Sequence, residues 1–368
     1  MFWMYAGFIA LVLVLLALDL GVFHRQAHAV SVKEALGWSA FWISLGLLFA
    51  GFIYAGYDNH WMGLGLTPDQ MTIEPVDVPG VGTVYNNGAD ATVKYITGYL
   101  VEKSLAVDNI FVIAMLFGFF AVPQIYQHRV LFWGILGALL MRGVMIALGA
   151  QLLQRFTWII YVFGGFLILT GIKMLLLKSD ETDPNRNVVV RLVRRIWPVT
   201  EKFHGEHFFV RAGSDASHEA ATPGAAVEVD RVVDGARPGT LLATPLLLAL
   251  VMVEVTDLIF AVDSIPAIFA ITTDPFLVFT SNVFAMLGLR SLYFALASMI
   301  DEFRYLKVAL AVVLMVVGAK MLTHSWLKAM LGHHFNLYLL GVVLLILITG
   351  VVASLVHARL EHRQTPAR

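Results

Sequence analysis

A succession of apolar runs, each long enough to cross a lipid bilayer, narrows the folds open to this chain more than any other feature. At 1.5 Å of rise per residue a helix needs roughly 20 apolar residues to span about 30 Å of hydrocarbon. About nine stretches reach that length, at roughly 3–23, 35–56, 94–120, 129–153, 157–177, 241–270, 276–298, 305–323 and 335–356. A chain that is 59% apolar and 14% charged, with 30 glycines, is no ordinary soluble domain. The first run lacks a basic leader and is too long for a cleaved signal peptide, so it is read as a span. Strand-like alternation broken by regular turn signals is absent, which argues against an outer-membrane barrel. The expected fold is an all-α polytopic membrane protein.

Positive charge sets the expected orientation, because cytoplasmic loops collect Lys and Arg. With about nine spans, one side receives Arg25, Lys33, Arg129, the basic residues from Lys178 to Arg237, Arg304, Lys307, Arg359, Arg363 and Arg368. The other side holds chiefly Lys94, Arg155 and Lys328, with an acidic loop at 57–91 that contains Asp58, Asp69, Glu74, Asp77 and Asp90. The N-terminus is therefore expected outside and the C-terminus in the cytoplasm. With no cysteine in the chain, disulfides, thiolate metal sites and sulfur redox chemistry are excluded. A net charge of −1 averages an acidic loop with basic ones and says nothing about partners.

Three landmarks recur in the same order. AVDNIF at 106–111 matches AVDSIP at 261–266, GILGALLMR at 134–142 matches NVFAMLGLR at 282–290, and TGIKML at 170–175 matches VGAKML at 317–322. Each block contains an odd number of crossings and the blocks are consecutive, so the second must lie inverted in the membrane. The expected organisation is a pair of helices in 1–56, an extracytoplasmic loop at 57–93 and a three-helix repeat at 94–177. A cytoplasmic connection at 178–240, the second repeat at 241–323, and a last helix with a basic tail at 324–368 complete it. The loop at 57–91 is rich in Gly, Pro, Asn and Asp and reads as irregular, with no chemistry inferred. In the connection, RLVRRIW has the spacing of a short amphipathic helix on the inner leaflet, while about 211–238 reads as a flexible linker, with a regulatory segment as the alternative.

Five acids break the apolar pattern. Val101–Phe111 contains Glu102 and Asp108, and Val253–Ala270 contains Glu254, Asp257 and Asp263. An ionisable group inside a span costs several kcal/mol unless paired, which points to a use. On an ideal helix Glu102 and Asp108 lie about 120° apart, as do Asp257 and Asp263. Either several helices contribute to one site, or each helix unwinds locally; Pro266 favours unwinding in the sixth run. The inverted repeat is expected to bring Asp108 and Asp263 together, with Asn109 and Ser264 adding neutral oxygens and Ser104 and Thr256 as further candidates. Such a donor set suits a hard divalent cation such as Mn²⁺, Mg²⁺ or Ca²⁺.

All twelve histidines fall in loops or near helix ends, which disfavours zinc, copper and nickel. His324, His333 and His334 read as solvated, with a surface metal-collecting patch as the alternative. Lys103, Arg142 and Arg290 are candidates to balance the acids when no cation is bound, whereas Lys173 and Lys320 are expected to snorkel. Asp19, near the cytoplasmic end of the first helix, is either an interfacial carboxylate paired with Arg25 or part of the pathway mouth. The bland alternative is that all these charges only staple helices. Against it, three cations do not match five acids, and buried ion pairs stabilise little on balance. A carboxylate relay for protons is compatible with cation exchange.

The segments EKSLAVDNIF at 102–111 and EVTDLIFAVDSIPAIFAITTDPF at 254–276 closely resemble the two signature segments of the TerC family of bacterial membrane proteins. The resemblance extends to LDL in the first helix, EHFFVR at 206–211 and TSNVFAMLGLR at 280–290, so it covers nearly the whole chain, and it is strongest to the alkali-responsive manganese-exporting branch. It implies an inner-membrane protein that exports Mn²⁺ from the cytoplasm, in a family linked to tellurium resistance and alkaline stress. The family's acids carry over to Glu102, Asp108, Glu254, Asp257 and Asp263. The chain departs from that branch in a longer connection around 212–239. With no phosphate-binding loop of the GxxxxGK[ST] type, proton-driven secondary transport is expected, with Mn²⁺ as substrate and no organic cofactor or nucleic acid. The competing readings are an intramembrane aspartyl protease, whose GxGD motif is missing, and a scaffold that recruits stress-response proteins through 178–240. Oligomeric state is left open.

Overall fold

Long apolar runs become long helices. The computed structural model describes residues 2–21, 31–72, 74–176, 188–218, 230–296, 305–323 and 335–364. The membrane-length helices are α1 (Phe2–Gly21), α2 (Val32–Asp58), α3 (Gly88–Phe119), α4 (Gln124–Arg155) and α5 (Ile159–Leu176). After the short helices α6 (Val188–Ile196) and α7 (Arg231–Gly235) come α8 (Pro245–Phe269), α9 (Pro275–Met286), α10 (Leu289–Leu296), α11 (Leu306–Leu322) and α12 (Phe335–Gln364). Local chemistry marks the starts: Asn87 caps α3 by accepting from the Asp90 amide (2.8 Å), and Asp274 caps α9 by accepting from the Phe276 amide (3.0 Å) ahead of Pro275.

Among the described residues α1, α2, α4, α5, α8 and α12 are each long and apolar enough to cross a membrane, and α9 with α10 reaches that length and apolarity only as a pair, across a 41° bend. α3 has 32 residues but carries Asp90, Lys94, Glu102, Lys103 and Asp108, and α11 has 17 residues. These segments follow the apolar runs of the sequence in order. Their outer faces are apolar, as with Leu48, Leu140 and Leu345, a distribution suited to lipid contact.

The two repeats are related by inversion, and glycines show it. A Cβ on Gly171 of α5 would lie 2.7 Å from the Ala311 carbonyl of α11, and one on Gly318 of α11 would lie 2.7 Å from the Gly164 carbonyl of α5. In the repeat register 164 matches 311 and 171 matches 318, so these contacts are the same contact seen from each half. Rising numbers on α5 meet falling numbers on α11, so the pair is antiparallel. Gly134 and Gly149 of α4 meet Val253 and Phe269 of α8, which makes α4 and α8 parallel. Because a short link joins α3 to α4 as an antiparallel pair, α8 opposes its counterpart α3.

Two readings of the sequence need correction here. The 57–91 loop is a folded cap, with a hairpin pairing Val76–Val78 and Gly82–Val84 and a buried anchor at Asp69. Asp69 accepts from Lys94 Nζ (2.8 Å), Thr272 Oγ1 (2.6 Å), Asn86 Nδ2 (3.1 Å), Thr273 N (2.9 Å), Thr273 Oγ1 (3.0 Å) and Met71 N (3.0 Å). Burial alone would raise its pKa, but the Lys94 charge and the donors of Thr272 and Thr273 hold the carboxyl below the ordinary range. Gln70 reaches the Leu153 carbonyl at the end of α4 (2.9 Å). Lys320, rather than snorkelling, is buried and donates to the Ala270 carbonyl and to Met71 Sδ (3.6 Å). The cap thus pins the ends of α3, α4, α8 and α11.

The connection is also more ordered than its composition suggests. Phe209–Arg211 pairs antiparallel with Leu241–Ala243, so α8 begins at Pro245 rather than 241. Val210, Ala212, Val233 and Leu242 form a small apolar cluster under that ladder. Asp230 caps α7 and accepts from the Lys202 amide (2.9 Å); although burial opposes it, these backbone donors lower its pKa. The RLVRRIW segment lies on and just beyond α6, as its spacing predicts. Residues 219–229 and the histidines at 324, 333 and 334 lie outside the described residues.

Candidate functional site

Where α3, α4 and α8 meet, a buried guanidinium gathers acids from both repeats. Arg142 of α4 bonds Glu102 of α3 through Nη1, and grips Asp257 of α8 with both ends of its fork, Nη2 to Oδ1 at 2.9 Å and Nε to Oδ2 at 3.1 Å. Nη1 also lies 3.3 Å from Ser264 Oγ. The arginine is 2% exposed, Glu102 0% and Asp257 9%, so solvent screens the cluster little. A planar bidentate fork is the geometry that arginine offers and lysine does not.

Glu254 lies about one turn before Asp257 on α8 and feels its charge. Its carboxylate rests directly against α4 at Gly137, where a Cβ would overlap it, so glycine is what lets the acid enter. Glu102 Oε2 and Glu254 Oε2 are buried without a hydrogen-bond partner among the described residues. When ionised, three carboxylates against one guanidinium carry a formal charge of −2. Among the described residues no three acid or imidazole groups converge tightly enough to hold a metal ion unaided; a guanidinium sits between two of the acids instead.

Asp108 and Asp263 are not joined to each other or to this cluster by any hydrogen bond among the described residues. Asp263 accepts from Thr170 of α5 (3.2 Å), and Asp108 lies in the field of Lys307 on α11. The last of each repeat's signature acids therefore faces the last helix of the other repeat. The physical reason is the angular offset seen in the sequence: α8 stays helical through Pro266, so its acids remain on different faces. That proline lies in the last turn and sacrifices only the bond to Val262, whose residue is exposed.

The remaining candidates sort by position. Asn109 is buried on α3, Thr256 is partly buried on α8, and Ser104 donates to its own helix at the Leu100 carbonyl (2.6 Å). Arg290 does not balance the signature acids, because the break between α9 and α10 turns it to Asp19 of α1 at 2.8 Å. Lys103 likewise bonds backbone carbonyls rather than an acid. Sequence reasoning missed Gly137 and Thr170, since neither carries a charge and both act through contacts between distant segments.

The model of the integral membrane protein TerC family matches residues 87–362. An uncharacterized membrane protein of Myxococcus xanthus is 46% identical over 97% of this chain and 93% of its own length. Proteins described as the putative membrane-bound redox modulator Alx are 44% identical in Salmonella typhi and 43% identical in Escherichia coli K12, each over 87% of this chain and 85% of the relative. No solved structure matches the chain.

Proposed function

The chain belongs to the TerC family of integral membrane proteins, and from that premise we propose that it is a secondary transporter exporting Mn²⁺ from the cytoplasm in exchange for protons. The proposal places it in a bacterial inner membrane with the N-terminus outside and the C-terminus in the cytoplasm, as the loop charges favour. The observation that carries this reading is the arginine held between acids of the two repeats. Arg142 joins Glu102 and Asp257 deep among the spans, where a charge with no function is selected against by its cost.

A divalent cation complements the formal charge of −2 on Glu102, Glu254, Asp257 and Arg142 together. The unbonded oxygens of Glu102 and Glu254 are first donors for an arriving ion, and the guanidinium then swings away from Asp257 as the ion takes its place. Sites between inverted repeats are where such exchangers bind near the midplane. Oxygen donors without thiolate or imidazole suit a hard ion, and manganese is chosen among these on the family resemblance. In this reading Asp108, in the field of Lys307 on α11, and Asp263, bonded to Thr170 of α5, pass the protons. Alx relatives are named as redox modulators; with no cysteine, any such effect here would follow from the ion moved rather than from thiols of the chain.

Cells lacking the protein are expected to accumulate manganese, with wild type restoring the normal level and Glu102→Gln or Asp257→Asn failing to do so at equal membrane abundance. Full restoration by both carboxamides would overturn the reading.

A further inference from the structure

With nine residues α6 is too short to cross a bilayer, yet it presents three distinct faces. Val190 and Val193 are buried in the same apolar cluster as Leu246, Leu248 and Ala249 from the first turns of α8, the helix on which α6 packs. On an ideal helix Leu192 and Ile196 lie about 40° apart and roughly a third of a turn from those valines. They are 53% and 55% exposed. Arg191, Arg194 and Arg195, all exposed, occupy roughly the remaining third.

Packing on α8 seats the helix through one face and leaves two outside. The position of α6 indicates what covers them. α8 has 25 residues, about 37 Å of helix against about 30 Å of hydrocarbon, so its first turns reach the boundary between lipid and water, and α6 lies there with them. At that depth an apolar strip bordered by arginines is the pattern of a helix lying in the plane of the interface.

A second element repeats the pattern. Just past α6, the Trp197 ring meets Phe209 edge-on, with centroids 5.7 Å apart. Phe209 and Arg211 point away from the buried Val210, and Leu241, paired with Arg211 across the ladder, is exposed with them. Between 188 and 211 the cations Arg191, Arg194, Arg195, Lys202 and Arg211 face only the acids Glu201 and Glu206, and Glu206 is paired with Arg129 at 2.7 Å. The surface therefore combines exposed apolar side chains with surplus positive charge, which complements an anionic bilayer.

We propose that α6, with the exposed face of the adjoining ladder, is a docking surface for anionic phospholipid. Leu192 and Ile196 enter the acyl region, and the guanidinium groups of Arg194 and Arg195 donate to headgroup phosphates, whose geometry the arginine fork matches. Each positive side chain at an anionic leaflet adds to the attraction. In the orientation proposed above that leaflet is the cytoplasmic one. The inference stands apart from the transport reading, since it concerns where the connection rests and not what the acids carry.

The chain has no cysteine, so Ile196→Cys carries a single thiol for an environment-sensitive fluorophore. With the full chain in nanodiscs, quenching by a group borne on the lipid acyl chains is expected to be at least twofold stronger in phosphatidylcholine mixed with phosphatidylglycerol than in phosphatidylcholine alone. Adding Arg194→Gln and Arg195→Gln is expected to abolish that difference. Equal quenching in the two lipids, whether strong or absent, overturns the proposal, as does a difference that survives loss of both arginines. A second arm needs no label: purified wild type is expected to retain at least about fivefold more phosphatidylglycerol per chain, measured by mass spectrometry, than the Arg194→Gln, Arg195→Gln variant. Equal retention overturns the proposal too.

Discussion

Arg142 neutralises two buried acids, and substitution can separate this from the place-holding for a cation that the proposed function assigns to it. Replacing it with Met leaves Glu102 and Asp257 buried without a counter-charge, a loss of about 3–5 kcal/mol for a broken buried pair. If the guanidinium stands in for a cation, millimolar Mn²⁺ restores what was lost, because a ligand that binds only the folded form stabilises it. The melting temperature of Arg142→Met in detergent is expected to fall well below wild type and to rise more than wild type when Mn²⁺ is added; an equal rise in both would contradict this. Asp69 gives a contrasting case outside the spans. Its carboxyl is held below its unfolded value of about 4, so its stabilising contribution is complete above that pH and is lost as pH falls through the lower folded value. Asp69→Asn, which leaves Lys94 buried without its partner, is expected to be less stable than wild type by about 3–5 kcal/mol at pH 7. Denaturation followed at decreasing pH should show the gap narrowing below about pH 4; a gap that widens in acid would refute the assignment.

The crossing of α5 and α11 is where the two repeats meet back to front. Gly318 and Gly171 let backbone approach backbone, and a side chain at either must push the helices apart. Gly165, on the same helix as Gly171, faces open space. Gly318→Leu is therefore expected to cut the yield of folded protein severely, whereas Gly165→Leu should match wild type in size-exclusion profile and melting temperature. Similar behaviour of the two variants would mean that the close crossing does not matter. This inversion was legible from three short matches, because TGIKML and VGAKML carry the glycines that make the contact. The bend at Gly288 was not legible: NVFAMLGLR matches GILGALLMR, which stays helical, and the difference depends on Trp42, which packs from a distant helix. Pro266 misled in the other direction, since a proline in a last turn costs one hydrogen bond without opening the helix.

Across the whole molecule, the acids were legible because charge inside an apolar run stands out, and their grouping was not. Asp108 and Asp263 occupy matching positions, but Asp263 bonds Thr170 of α5 and Asp108 lies in the field of Lys307 on α11, and no hydrogen bond joins the two among the described residues. Glu102 and Asp257 meet because Arg142 reaches from α4 to both α3 and α8, and Glu254 enters beside them against Gly137 of α4. The Asp69 cap escaped notice because its partners, Lys94, Thr272 and Thr273, are far away in sequence and unremarkable where they stand. The cap closes one end of the helices and the acid cluster lies within the spans; in the proposed export cycle the ion would enter from the other end. Flux of Mn²⁺, Mg²⁺ and Ca²⁺ into proteoliposomes, with and without an imposed pH gradient, tests that arrangement most directly. Wild type should move Mn²⁺ faster when protons run the opposite way, and Glu102→Gln and Asp257→Asn should slow it at least tenfold; wild-type flux no greater than that of protein-free liposomes would contradict the account.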